Sequence, residues 1–163
     1  MPFAFIGLGS NIEPRLENVI LALEKLNNFV KIIKTSNLYE TEPWGNQNLN
    51  PFINGVAKIE TDLEPLDLLI LLLNIEKQLG RVRTQKWDNR TIDLDLLDYE
   101  NIEMNAKELI LPHPYIQERN FVIIPWYEIE PEWILSNKLK IKDLYFRFYS
   151  NQVFKLIKKS PLL

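Results

Sequence analysis

Asp93 and Asp95 flank a single leucine within Thr91 to Leu97, a stretch whose composition predicts a β-strand. Side chains two apart on a strand point to the same face. The two carboxylates therefore stand side by side, and like charges that close repel unless something positive separates them. A hard divalent cation such as Mg²⁺, which takes oxygen ligands, fits that need. Just upstream lie Arg81, Arg83, Lys86 and Arg90, cations suited to the phosphates that such an ion also binds. The plainer alternative for the Asp pair is an exposed strand face with two solvated acids. The density of cations beside it favours the ligand reading.

Other residues have chemistry to offer, each with a bland counterpart. Trp87 sits in the polar stretch Thr84 to Asn89. A lid carrying an aromatic would exclude water from a transfer site; a static loop with a packed Trp is the alternative. Phe52 and Asn54 share a strand face, and Phe121 comes much later. Aromatics stacking on a planar heterocycle, with Asn supplying hydrogen bonds, would suit a purine- or pterin-like ring, against ordinary core aromatics. His113, the only histidine, lies between Pro112 and Pro114 with Arg119 following, which suits anion contact or a structural role. Glu76, one turn before Gly80, points near the site or into solvent. Gly7-Leu8-Gly9-Ser10-Asn11 only weakly echoes a dinucleotide fingerprint, because Ile12 occupies the third glycine position. It reads as a tight strand-to-helix turn or as part of a ligand site.

These residues need a scaffold. Pro2 to Leu8 reads as a buried strand. Pro14 then opens a helix with Leu16, Val19, Ile20, Leu23 and Leu26 at helical spacing. Phe29 to Tyr39 reads as a second strand, Glu40 to Pro51 as a polar loop, and Phe52 to Thr61 as a third strand. Pro65 opens a second helix that Gly80 terminates. With Thr91 to Leu97 the order is βαββαβ. That predicts an α+β fold of ferredoxin-like type, an antiparallel four-stranded sheet with two helices on one face. C-terminal additions follow: an extended piece ending near Leu111, a proline-punctuated loop, a helix near Phe121 to Tyr127, and a Lys-rich tail read as solvated surface.

The whole chain sets the bounds. Its 163 residues predict one domain, 1–163, large enough to bury a core without staples. Cysteine is absent, which removes disulfides and thiolate metal sites and fits a reducing compartment. The N-terminus lacks a basic region, and the longest apolar run, Leu68 to Leu73, falls far short of the roughly 18 residues of a membrane span. A cytoplasmic protein without membrane or nucleic-acid partners is expected; the net charge of −3 argues weakly against nucleic acid. An RNA-binding module on the same fold would need a basic sheet face, which the Asp pair opposes. A metal-dependent phosphohydrolase is a further alternative.

Taken together, the motifs resemble the 6-hydroxymethyl-7,8-dihydropterin pyrophosphokinase family. The matching stretches are Gly7 to Asn11, Tyr39 to Gly45, Phe52 to Gly55, Ile75-Glu76 through Leu79 to Arg83, Trp87, Arg90 to Asp95, Leu111 to Pro114, and Glu118 to Phe121. The resemblance implies transfer of a diphosphoryl group from ATP to the pterin hydroxymethyl, leaving AMP. By matched position, Asp93 and Asp95 bind two Mg²⁺ ions, and Arg81 and Arg90 lie nearest the transferred group. Glu76, Arg83, Lys86, Leu96, His113 and Arg119 fall at positions associated with ATP. Phe52 and Phe121 stack on the pterin and Asn54 hydrogen-bonds it. Thr41, Glu42 and Trp44 contact its edge, and Trp87 is the lid aromatic. Lys86 stands where arginine often occurs, and Phe52 where some members carry Tyr. The implied partners are ATP and hydroxymethyldihydropterin, with the protein a monomer.

Overall fold

The computed structural model describes residues 1–41, 50–80, 91–148 and 155–158. Its first two-thirds contain β1 (Phe3–Ser10), α1 (Arg15–Asn27), β2 (Lys31–Thr35), β3 (Leu38–Thr41), β4 (Phe52–Glu60), α2 (Pro65–Gln78) and β5 (Asp93–Tyr99). There follow β6 (Met104–Asn105), β7 (Ile110–Leu111), α3 (Asn120–Ile129), α4 (Ile141–Phe148) and β8 (Lys155–Lys158). The main sheet runs β5-β1-β4-β3-β8, with β2 also paired to β4, and each of these pairings is antiparallel. β6 and β7 form a separate hairpin.

Both faces of the sheet are covered, by different helices. Ala4, Ile6 and Leu8 of β1 belong to one cluster with Val19, Leu23 and Leu26 of α1 and Leu68, Leu72 and Ile75 of α2. The intervening Phe5, with Val56 of β4 and Leu97 of β5, joins a second cluster with Val122, Ile123 and Trp126 of α3 and Ile141 and Leu144 of α4. This is the period-two alternation of a strand buried on both sides. The expected helices on one face are therefore joined by a C-terminal pair on the other. The expected solvated tail is in part structured: α4 packs beneath α3, with Tyr127 and Tyr145 stacked at 3.8 Å, and β8 extends the sheet edge.

Several sequence boundaries shift, each for a physical reason. The single strand expected over Phe29 to Tyr39 is two, β2 and β3. At the break the Ser36 hydroxyl accepts the Val56 N–H at 2.9 Å, replacing a ladder bond with a side-chain one. Gly55 makes this possible: a Cβ there would lie 2.6 Å from Leu38 Cδ2 and 3.1 Å from Ser36 Oγ. The polar loop expected from Glu40 starts later, because Glu40 and Thr41 pair with Ile53 and Phe52. Gly7 to Ser10 are strand rather than turn, pairing with β4 on one side and, through Gly9, with β5 on the other. The fourth expected strand starts two residues later, at Asp93, and runs on to Tyr99. Gly80 does end α2, at φ 87°, with its N–H donating to the Lys77 carbonyl.

A register shift between Phe5 and Ile6 aligns Asp98 with Phe5. Asp98, fully buried, accepts hydrogen bonds from Trp133 Nε1 at 2.9 Å and from the Ser136 hydroxyl at 2.7 Å. Burial pushes its carboxyl above the ordinary range, and these bonds oppose the rise.

Candidate active site

The site is assembled by one row of residues across four strands. Asp93 on β5 pairs with Gly9 on β1, Gly9 pairs with Asn54 on β4, and Asn54 pairs with Tyr39 on β3. The next row sets Asp95 beside Gly7 and Gly7 beside Val56. Paired residues of a sheet share a face. Both aspartates are thus on the face that α3 and α4 cover further along, and both are half-buried. Glycine on the neighbouring strand adds no side chain of its own beside either carboxylate. Two oxygen-bearing groups on one rung pattern, part open to solvent, suit a hard cation with room for other oxygen ligands.

Gly9 has a second use. A Cβ at this position would sit 2.7 Å from Asn54 Oδ1 and 3.4 Å from Phe52 Cδ1. Asn54 and Phe52 therefore lie close over bare β1 backbone. The Asn54 amide is oriented by donating from Nδ2 to the Thr41 hydroxyl. Asn54 and Thr41 are both buried, while Phe52 is half-buried.

The opposite wall comes from the segment leading into α3. Arg119, buried, donates from Nη1 to Asp95 Oδ2 at 3.3 Å. Its guanidinium also lies 5.7 Å from the Phe121 ring centroid and 5.4 Å from that of Tyr115. Phe121 is thus brought to the neighbourhood of the Asp pair through Arg119. A cleft of about 250 Å³ runs along the outer edge of β5 and is lined by Asp95, Leu96, His113, Leu73, Lys107 and Ile110, among others. The backbone N–H of His113 donates to Leu97 O at 2.8 Å, which fastens this loop to the β5 edge. Burial and the nearby Arg119 charge lower the imidazole pKa from 6.5 to about 4, against the opposing pull of Asp93.

Glu76 is buried and accepts the Leu94 N–H at 2.7 Å. It holds the strand residue that separates the two aspartates. Leu96 is a core residue that also borders the cleft. Among the described residues the structure brings together Asp93, Asp95, Arg119, His113 and Leu96 at one side, and Thr41, Phe52 and Asn54 at the other. Arg81, Arg83, Lys86, Trp87, Arg90, Glu42 and Trp44 lie outside the described residues.

Sequence reasoning passed over three features of this region. The structural use of Gly9 has no local signature, because it depends on a strand far away in sequence. The same holds for Glu128, exposed on α3, which accepts from the Asn37 N–H at 2.6 Å and from the Tyr39 hydroxyl. Arg15, at the start of α1, reaches Glu40 of β3 at 2.8 Å and the Pro51 carbonyl at 3.1 Å. A cation in the first turn opposes the helix dipole, which is the one sequence-level hint that its role is tertiary.

Residues 5–131 match the profile of 7,8-dihydro-6-hydroxymethylpterin-pyrophosphokinase (HPPK). The chain is 40% identical over 134 residues to the 2-amino-4-hydroxy-6-hydroxymethyldihydropteridine pyrophosphokinase of Aquifex aeolicus, covering 82% of this chain and 84% of that one. It is 39% identical over 155 residues to the enzyme of the same name from Haemophilus influenzae, covering 94% and 97%. A solved wild-type Plasmodium falciparum HPPK-DHPS chain superposes with a TM-score of 0.70 at 19% identity, covering 91% of this chain. This chain spans 42% of that longer one, and the likeness is one of fold.

Proposed function

The chain belongs to the 7,8-dihydro-6-hydroxymethylpterin-pyrophosphokinase family and is a pyrophosphokinase of folate biosynthesis; we propose that its diphosphate donor is ATP, that the reaction depends on Mg²⁺, and that the face bearing Asp93, Gly9 and Asn54 is where it happens. The carrying observation is the register that sets Asp93 beside Gly9 and Gly9 beside Asn54. It puts two candidate cation ligands, Asp93 and Asp95, and a candidate ring-binding pair, Phe52 and Asn54, on one floor with only glycine between them.

In this reading Phe52, Asn54 and Phe121 hold 6-hydroxymethyl-7,8-dihydropterin. The ring stacks on the aromatics, and the Asn54 amide, already fixed by Thr41, pairs with the ring edge. The nucleotide takes the cleft along β5 beside His113 and Leu96. The hydroxymethyl oxygen forms a bond to the β-phosphorus. The bond from that phosphorus to the α–β bridging oxygen breaks, AMP leaves with the oxygen, and the hydroxyl proton passes to solvent. Asp93 and Asp95 would hold Mg²⁺, two ions by the family resemblance; when bound, these neutralise triphosphate charge and orient the phosphates. Arg119 restrains Asp95 from the α3 side. His113 offers a neutral imidazole to the phosphate chain. Glu76 keeps Leu94, and with it the spacing of the two carboxylates, in place. Arg81 and Arg90 are assigned to the transferred group, Arg83 and Lys86 to ATP, and Glu42, Trp44 and Trp87 to the pterin, all from the resemblance.

The sheet order β5-β1-β4 followed by the split β3/β2 edge supports a ferredoxin-like core. We assign the whole chain to one domain acting as a cytoplasmic monomer. Among the described residues no helix is long and apolar enough to cross a membrane. The deciding assay follows AMP formation from ATP, Mg²⁺ and hydroxymethyldihydropterin. Asp93→Ala and Asp95→Ala each abolish turnover and leave the circular dichroism spectrum unchanged; near-normal turnover in either removes the metal assignment. Orthophosphate release without pterin points instead to a phosphohydrolase.

A further inference from the structure

We propose that Arg15 is a positioning residue for the pterin-binding end of the sheet, acting through Glu40 and Pro51, which it joins. The inference rests on the pterin reading above. From α1, the Arg15 Nη1 reaches Glu40 Oε2 at 2.8 Å and the Pro51 carbonyl at 3.1 Å. Glu40 immediately precedes Thr41, which orients the Asn54 amide; Pro51 immediately precedes Phe52. Thr41 and Phe52 are themselves register partners. One guanidinium thus joins Glu40 of β3 to Pro51, just ahead of β4, each the residue before a ring-binding element. A second tie runs parallel to it: buried Asn11 donates from Nδ2 to the Asn50 carbonyl at 3.2 Å, and Asn50 donates back to the Asn11 carbonyl at 3.4 Å.

The chemistry requires arginine. The planar fork can serve a carboxylate and a carbonyl together, where an ammonium acts as a point charge. Glu13 accepts from Arg15 Nε and holds the fork from the solvent side. The Arg15 side chain is 19% exposed and that of Glu40 27%, so the pair is more shielded than a free surface ion pair. Losing the bridge frees the β3–β4 end to shift by fractions of an ångström, which a stacked and hydrogen-bonded ring senses and a nucleotide on the β5 edge does not.

The test is the dissociation constant of 6-hydroxymethyl-7,8-dihydropterin, titrated in the presence of Mg²⁺ and a non-hydrolysable ATP analogue, together with that of the analogue alone. Arg15→Ala weakens pterin binding about fivefold, roughly 1 kcal/mol, and leaves analogue binding within about twofold. Glu40→Ala gives a smaller loss, and the double variant loses less than the sum, as residues in one network do. Arg15→Lys retains part of the affinity. Unchanged pterin affinity in Arg15→Ala, an equal loss for the analogue, or strict additivity with Glu40→Ala overturns the proposal. If Arg15→Ala is too unstable to titrate, the Arg15→Lys and Glu40→Ala values decide alone. Wild-type protein that binds no pterin removes the pterin reading itself, a result distinct from any of these.

Discussion

Gly9 and Asn54 face each other across β1 and β4 with no volume to spare: a methyl group on Gly9 would meet Asn54 Oδ1 at 2.7 Å. That oxygen belongs to an amide whose nitrogen is engaged by Thr41, so it cannot retreat without breaking a buried hydrogen bond.

Gly9→Ala therefore overpacks the floor. The expected cost is about 1–3 kcal/mol of stability, read from the urea midpoint. Pterin affinity falls about tenfold or more as Asn54 is displaced, while affinity for a nucleotide analogue is retained. Isothermal titration with each ligand separates the two. Equal losses for both would show that the alanine disturbs β1 as a whole and not the Asn54 contact.

Glu76 makes a different kind of support. Its carboxylate accepts the N–H of Leu94, between the two candidate metal ligands, from a position 2% exposed. Removing the acceptor strands a buried donor, at about 1–3 kcal/mol. Glu76→Ala is expected to lose that much stability and to raise the exchange rate of the Leu94 amide by about tenfold or more. Glu76→Gln keeps an acceptor oxygen and most of the protection. A Leu94 amide that exchanges at the same rate in Glu76→Ala and wild type would rule out this role.

How much of this was legible in the sequence follows from how local each cause is. The helices α1 and α2 were readable because Leu16 to Leu26 carry helical periodicity on the chain itself, and Pro65 and Gly80 mark the second helix's ends; the face α2 buries, Leu68, Leu72 and Ile75, was not. The Asp93-x-Asp95 pair was readable because strand alternation is a local rule. The break between β2 and β3 was not, since it depends on the Ser36 hydroxyl meeting Val56, twenty residues away. The turn expected at Gly7 to Asn11 went the same way: glycines that look like a turn are kept bare by Leu97, Asn54 and Phe52 on the neighbouring strands. β8 was invisible for a related reason. Its short Lys-Leu-Ile-Lys resembles a solvated tail until β3 supplies the other half of the ladder. Glu76 shows the limit on site reading: the residue was legible, and its burial toward Leu94 was not.

His113 carries the last prediction, and as the only histidine it gives a single imidazole resonance to follow. Burial and the Arg119 charge set its pKa at about 4, below the ordinary 6.5, while Asp93 pulls the other way. The free protein should thus show a neutral imidazole from about pH 5 upward, with the Cε1–H shift inflecting near 4. The unfolded chain binds this proton more readily than the folded one. Its contribution to stability is therefore complete above pH 6.5 and is lost as pH falls from 6.5 through about 4. His113→Gln should flatten that part of the urea-midpoint profile and leave the region above pH 7 parallel to wild type. A bound triphosphate adds negative charge beside the ring and should move the inflection upward. An inflection near 6.5 in the free protein, unmoved by a nucleotide analogue, would detach His113 from both its burial and the phosphate site.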